Sequence, residues 1–304
     1  MTDYPMLLVL AWVLSAIGQS VTESSRLAPN PDSTGRAGYH TPLAREPDDL
    51  KQELDADAAA LSRVPADPLI QRDPLAVALI QKSVSVMGVP PSDSTATGSA
   101  TIVAGSLTQQ GTVTILTRGS TQTSIQFQMP NNPWTVVFAS GQANKVETAQ
   151  TTGYPLELAA SSQCLYFPLP YLAGILSNPD YSIQFGGQEA VESSTANHIV
   201  VQNTFNSSPT YRFLSPFTVA DIWIDASSGL PVKISMVRRE GGGSAPKIPI
   251  SVAYSNYQTV SGVRYPFTIQ EYITETLWAT TTIQSVIFNS GLTDSNFQVA
   301  TGGN

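Results

Sequence analysis

The sequence predicts a mainly β protein: a single curled antiparallel sheet with one N-terminal helix and a short second helix. Three observations carry that prediction. From Ala96 onward, apolar and polar residues alternate with the period of two that a half-buried strand requires. Turn residues interrupt the alternation at short intervals, so successive strands join as an antiparallel meander. The helical segments are too few and too short to cover the sheet if it were flat.

Taken in order, residues 1–20 of the 304 read as a signal peptide. Residues 6–17, MLLVLAWVLSAI, form an apolar run. It is too short for the roughly 20 residues of a spanning helix, and it suits a signal core followed by the small residues Ser15, Ala16, Gly18 and Ser20. The preceding Thr2-Asp3-Tyr4-Pro5 lacks the usual positive charge, which leaves an uncleaved anchor or a misassigned start codon as the alternative. No cysteine follows the run to accept a lipid. Residues 21–72 read as a polar linker. Its first half is rich in Pro, Ser, Gly and isolated charges, a composition expected to be disordered. Residues 48–62 have the spacing of a short helix, with Leu50, Leu54, Ala58 and Leu61 on one face.

Residues 73–300 form the folded domain. Asp73 is the N-cap of a helix, Pro74 takes its first position and Gly88 closes it. Leu75, Leu79, Ile80, Val84 and Met87 lie between at helical spacing. About ten strands follow, among them those carrying Val113 and Ile115, Ile125 and Phe127, Trp134 and Phe138, Ile183 and Phe185, and Ile222 and Ile224. Val263-Arg264-Tyr265-Pro266-Phe267-Thr268-Ile269-Gln270 has the clearest alternation. Turns are expected at 226–229, 260–262 and 273–276, and a longer loop at Gly241-Gly242-Gly243-Ser244. Residues 170–177, PYLAGILS, give the second helix, apolar nearly all round and so expected to be buried. Ten strands at about 4.8 Å spacing make a flat sheet nearly 50 Å wide, whereas the first helix is only about 21 Å long. The sheet must therefore curl around its helices. Pattern alone leaves open whether the enclosed space is a cavity or a packed core.

The formal charge is −8, from 15 basic and 23 acidic residues, and only 12% of residues are charged. From Asp73 onward there are nine basic and thirteen acidic residues, the basic ones spread singly apart from Arg238-Arg239. That pattern argues against a nucleic-acid partner and against docking on anionic lipid. The lone Cys164 sits in an apolar run and reads as a small buried hydrophobe. With one Cys and two His, no metal site is expected, and no sequence motif calls for a cofactor. His198 reads as a solvated or satisfied strand residue. Asp221 and Asp225 flank Trp223 on one strand face, a pattern that a carboxylate pair beside a sugar-stacking ring would give but that reads first as a polar outer face with Asp225 opening a turn. Asn206-Ser207-Ser208 matches a glycosylation acceptor, a weak three-residue signal.

The C-terminal third reads DIWIDASSGLPVKI, then IPISVAYSNYQTVSGVRYPFTIQEYI, then IFNSGLTDSNFQV. An Asp-x-x-x-Gly-Leu-Pro hairpin, a Tyr-x-x-Tyr-x-x-x-x-Gly-x-x-x-Pro stretch and an Asn-x-x-Leu-x-Asp-x-x-Phe ending resemble the LolA/LolB-type periplasmic lipoprotein-carrier superfamily. Residues 73–299 also resemble exported proteins of acidobacterial type that begin with a similar Asp-Pro helix. The resemblance implies a LolA-like half-open barrel whose concave apolar face, lidded by helices, holds acyl chains. These motifs are turn and strand-end residues, so they speak to fold more than to function. The long linker departs from such carriers. So does the lack of an assignable counterpart to the arginine for which they are known, Arg118 being only the nearest candidate by strand position.

The expectation is an exported, periplasmic or secreted, non-catalytic binder of an apolar ligand, a lipid or acyl chain. Leu75, Leu79, Leu172, Ile175, Leu176, Phe267 and Ile269 are its candidate ligand-facing residues. The alternative is a structural or regulatory module with a packed core that binds an envelope protein.

Overall fold

The computed structural model describes residues 70–148, 150–161, 165–192, 194–239 and 247–299. The expected signal peptide, most of the linker with its short helix, Cys164 and the Gly241–Ser244 loop lie outside them.

Asp73 caps helix α1 (Pro74–Met87): its Oδ1 accepts from the Leu75 and Ala76 N–H groups at 2.7 and 3.2 Å. The first meander is β1 (Asp93–Ala104), β2 (Leu107–Arg118), β3 (Gln122–Gln128), β4 (Trp134–Ala139), β5 (Gln142–Glu147) and β6 (Thr151–Gly153). Helices α2 (Leu156–Ser161) and α3 (Pro168–Ser177) follow. The second meander is β7 (Tyr181–Val191), β8 (Ser194–Asn203), β9 (Ala220–Asp225), β10 (Pro231–Arg239), β11 (Lys247–Val260), β12 (Val263–Ile273) and β13 (Thr276–Phe288). A 3-10 helix, Pro209–Phe217, links β8 to β9, and another, Asp294–Phe297, follows β13.

The described residues thus form one sheet of 13 strands rather than about ten, in the order β6-β5-β4-β3-β2-β1-β13-β12-β11-β10-β9-β8-β7. The additional pieces are β5, β6 and the helix α2. On β5 the inward positions are Ala143 and Lys145, so no large apolar residue marks the alternation. Strand β6 has only three residues, all exposed. The two meanders meet at β1 and β13, from Ser94 opposite Phe288 to Ile102 opposite Ala279, with a bulge at Thr97/Gly98. Ser261-Gly262 closes the β11–β12 hairpin with left-handed φ values of 46° and 81° at its two central positions. A two-residue turn of that kind favours glycine.

The sheet curls as expected. Helix α2 packs against both β5 and β10. These strands are eight positions apart, about 38 Å on a flat sheet, and a six-residue helix is only about 9 Å long. The concave face carries one continuous core, with Ile115, Phe127, Ile199, Ile222, Val252, Tyr265 and Ile269 all buried. Helix α1 lies on it against β7, β9, β12 and α3. Its buried stripe is Ala76, Ile80, Ser83 and Met87. Leu75, expected on that stripe, is 52% exposed, because the Asp73 cap sets the helix phase and the small Ala76 and Ser83 face the sheet. Phe167, at the start of α3, anchors the middle of the core, its ring 4.6 Å from that of Tyr265 and 5.9 Å from that of Phe288.

Candidate functional site

An apolar cavity of about 40 Å³ remains on the concave face, beyond the part covered by α1 and α3. Strand alternation aims Ile125 and Phe127 of β3, Trp134 and Phe138 of β4 and Trp278 of β13 into it. Phe127 and Trp134 stack with ring centroids 4.9 Å apart. The roof is formed by Tyr154, Leu158, Leu165 and Tyr166, from α2 and its flanks. Leu158 and Ala159 are the buried residues of α2.

Two charged side chains, Arg238 and Glu271, line the same cavity. Glu271 is buried, and its Oε2 accepts a 2.6 Å hydrogen bond from the Tyr166 hydroxyl. Arg238 Nη1 lies 3.9 Å from Glu271 Oε1. Burial, and secondly the Glu271 carboxylate, push the Tyr166 phenol well above its ordinary range, so it acts as a donor there. The Tyr254 hydroxyl donates to the Leu165 carbonyl at 2.5 Å. The roof segment is therefore tied to the sheet by two tyrosine hydrogen bonds. Beside the cavity, Lys145 pairs with Glu147 at 2.9 Å and its Nζ lies 6.0 Å from the centroid of the Trp134 ring.

Of the residues marked from the sequence, Leu172, Ile175, Phe267 and Ile269 are buried in the concave core. Leu79 and Leu176 pack half-buried against it, and Leu75 is exposed. None of the seven lines the cavity. Glu271 and Arg238 escaped the sequence reading, yet both continue inward series of alternate residues: Tyr265, Phe267, Ile269, Glu271 on β12 and Ile234, Met236, Arg238 on β10. The parity that marks a core position applied to them, and their charge masked it. Arg118 lies at the end of β2, where it pairs with Asp294 and Gln122.

On the opposite face, a groove of about 670 Å³ runs past Trp223, Lys233, Gln270 and Tyr272. The His198 ring stacks on Trp223 at 4.8 Å, and Lys233 Nζ sits 4.9 Å from the indole centroid. These residues come from the two strands flanking β9, so both indole faces are covered and no sugar-stacking platform is left. Both nitrogens of His198 are engaged, Nε2 by Asp221 at 2.7 Å and Nδ1 by Glu189 at 2.9 Å, as its satisfied-strand reading required. Asp225 spends its Oδ1 on the following turn. Among the described residues no group of three or more His, Cys, Asp or Glu is placed to hold a metal, and no helix is long and apolar enough to cross a membrane.

No protein-family model matches the sequence, and no match was found among curated proteins. Among solved structures the chain is similar to a LolA superfamily protein from Nitrosomonas europaea, at 13% identity over 74% of this chain and 97% of that one, with a TM-score of 0.48. It is also similar to a DUF1329 family protein from Desulfovibrio piger, at 12% identity over 75% and 98% of the two chains, with a TM-score of 0.48. At these values neither a ligand nor a function transfers to this chain. The architecture stands on the strands themselves: an open, curled antiparallel sheet lidded by short helices, the LolA-like form that the sequence motifs implied.

Proposed function

We propose that this chain is an exported, non-catalytic binder of a lipid or acyl chain, which enters the concave face beneath the α2 segment. The supporting observation is the aromatic-lined cavity left between the sheet and that roof. Its volume, about 40 Å³, is far below the roughly 300–1,000 Å³ of ligand pockets. Entry therefore requires the roof to move. A six-residue helix has little stability of its own, and Leu158 and Ala159 are the side chains of α2 that are buried among residues 156–160. A non-catalytic role agrees with the engagement of His198 and Asp225 in local structure, and the apolar run at residues 6–17 supports export.

The cavity contains Trp134 and Trp278, whereas Trp223 is on the other face. An acyl chain brominated near its methyl end should quench the first two. Quenching should fall in Trp134→Phe and Trp278→Phe and persist in Trp223→Phe. No quenching at saturating probe would overturn the binder reading. The observation favouring the alternative, a packed module for an envelope protein, is the small volume itself, and the absence of quenching is its expected result.

A further inference from the structure

Resting on that reading, we infer that the interior site selects an amphipathic ligand with an uncharged, hydrogen-bonding head, such as an ester or amide of an acyl chain, over a free carboxylate or an amine. The inference starts from a mismatch. Glu271 and Arg238 occupy inward strand positions whose neighbours are Ile269 and Met236, both buried core residues. Glu271 is buried and Arg238 half-buried; taking a charge out of water costs several kcal/mol when complete, and an apolar pair of similar volume would commonly serve the fold as well or better. The pair is also loose at 3.9 Å, and it borders a space rather than packed side chains. A few polar groups in the wall of an apolar cavity orient an amphipath.

The charges decide which head fits. Glu271 and Arg238 are the two charged residues lining the cavity, and they cancel. The adjacent Lys145–Glu147 pair cancels as well. An incoming anion would gain Arg238 but face Glu271 at close range, and an amine would meet the reverse. In a low-dielectric interior neither recovers the cost of leaving water. A neutral carbonyl or hydroxyl incurs little of that cost. It can accept from the guanidinium or donate to Glu271, both of which line the cavity.

The test uses three chains of equal length, brominated near the methyl end: a methyl ester, the free acid at neutral pH and the primary amine. Each is titrated against the folded domain by Trp134 quenching. The expected result is that the ester binds at least tenfold tighter than the acid or the amine. Glu271→Gln leaves an acceptor for Tyr166 and removes the carboxylate that an incoming anion would face, so the acid should gain at least tenfold relative to the ester. Arg238→Met should favour the amine instead, and if that variant does not fold, Glu271→Gln alone decides. An unchanged ranking in Glu271→Gln, or a parent preference for the acid, overturns the neutral-head inference while binding itself stands. Absence of quenching by all three chains removes the binder reading and this inference with it.

Discussion

Asp225 illustrates how much one side chain can settle. Its Oδ1 accepts from the Ser227 hydroxyl, the Ser228 hydroxyl and the Ser228 N–H, each at 2.7 Å. These donors, the Ser228 N–H foremost, hold the carboxyl down at about 2 from an ordinary 3.8. Because the folded-state pKa is the lower one, the stabilisation is full above the ordinary value and is lost as pH falls from there toward 2. Asp225→Ala should cost about 1–2 kcal/mol at pH 7, with a smaller gap from the parent at about pH 2.5, since that pH protonates the carboxyl of the unfolded chain and most of the gain from the lowered folded-state value is gone. Urea melts at the two pH values measure it, and equal stability of parent and variant at pH 7 would refute the assignment. The turn role was legible because Asp before a Ser-Ser-Gly turn has one dominant physical use. The steric role of Gly98 was not. A β-carbon there would sit 2.1 Å from the Thr282 carbonyl oxygen, a contact made by a strand nearly 200 residues away in sequence.

Among the elements, α1 was legible because its signals are local: the Asp73 cap, Pro74, and the Gly88 end, where the N–H returns to the Val84 carbonyl at 3.0 Å. Its phase was not, since Ala76 and Ser83 carry no apolar weight and only the close sheet makes them the inward stripe. Helix α2 eluded the alternation argument because six residues give too few positions to display a period. A second long-range effect ties the start of the domain to its far edge. Gln71 and Asp73 bracket Ile183 with backbone hydrogen bonds of 2.6 and 2.9 Å. Arg72 reaches the carbonyls of Leu176 and Asn178 at 3.0 Å each, capping the end of α3. A chain beginning at Asp67 keeps these bonds and should melt within a few degrees of the longer mature form. One beginning at Asp73 loses those made by Gln71 and Arg72 and should melt about 5 °C or more lower, at roughly 2–4 °C per kcal/mol for a domain of this size. Equal melting of the two truncated chains by circular dichroism would show that the bonds contribute nothing.

At the level of the whole molecule, the curl followed from areas alone and needed no tertiary information. What alternation could not supply was the strand order, because the chain leaves the sheet at β6 and re-enters at the opposite edge, β7. Neighbouring strands within each meander are also neighbours in sequence, but β1 and β13 are not. Their contact is fastened at one end by Asp93, whose carboxylate accepts from the Ser290 N–H and hydroxyl at 2.7 and 2.8 Å and from the Gly291 N–H at 3.2 Å.

That β1–β13 contact is the seam along which the two meanders meet, and α1 and α2 reach across it to pack on the second meander. The crossing from β6 to β7 is the place to cut such a chain. Fragments 67–161 and 162–299, produced separately and mixed, should reassociate and recover the far-ultraviolet spectrum of the parent. Gly98→Val in the first fragment, placing side-chain atoms against the Thr282 carbonyl, should abolish the recovery without altering the second fragment. If the intact pair never reassociates at any concentration, the helical crossing between β6 and β7 is required for the halves to meet, and the domain is one cooperative unit rather than two.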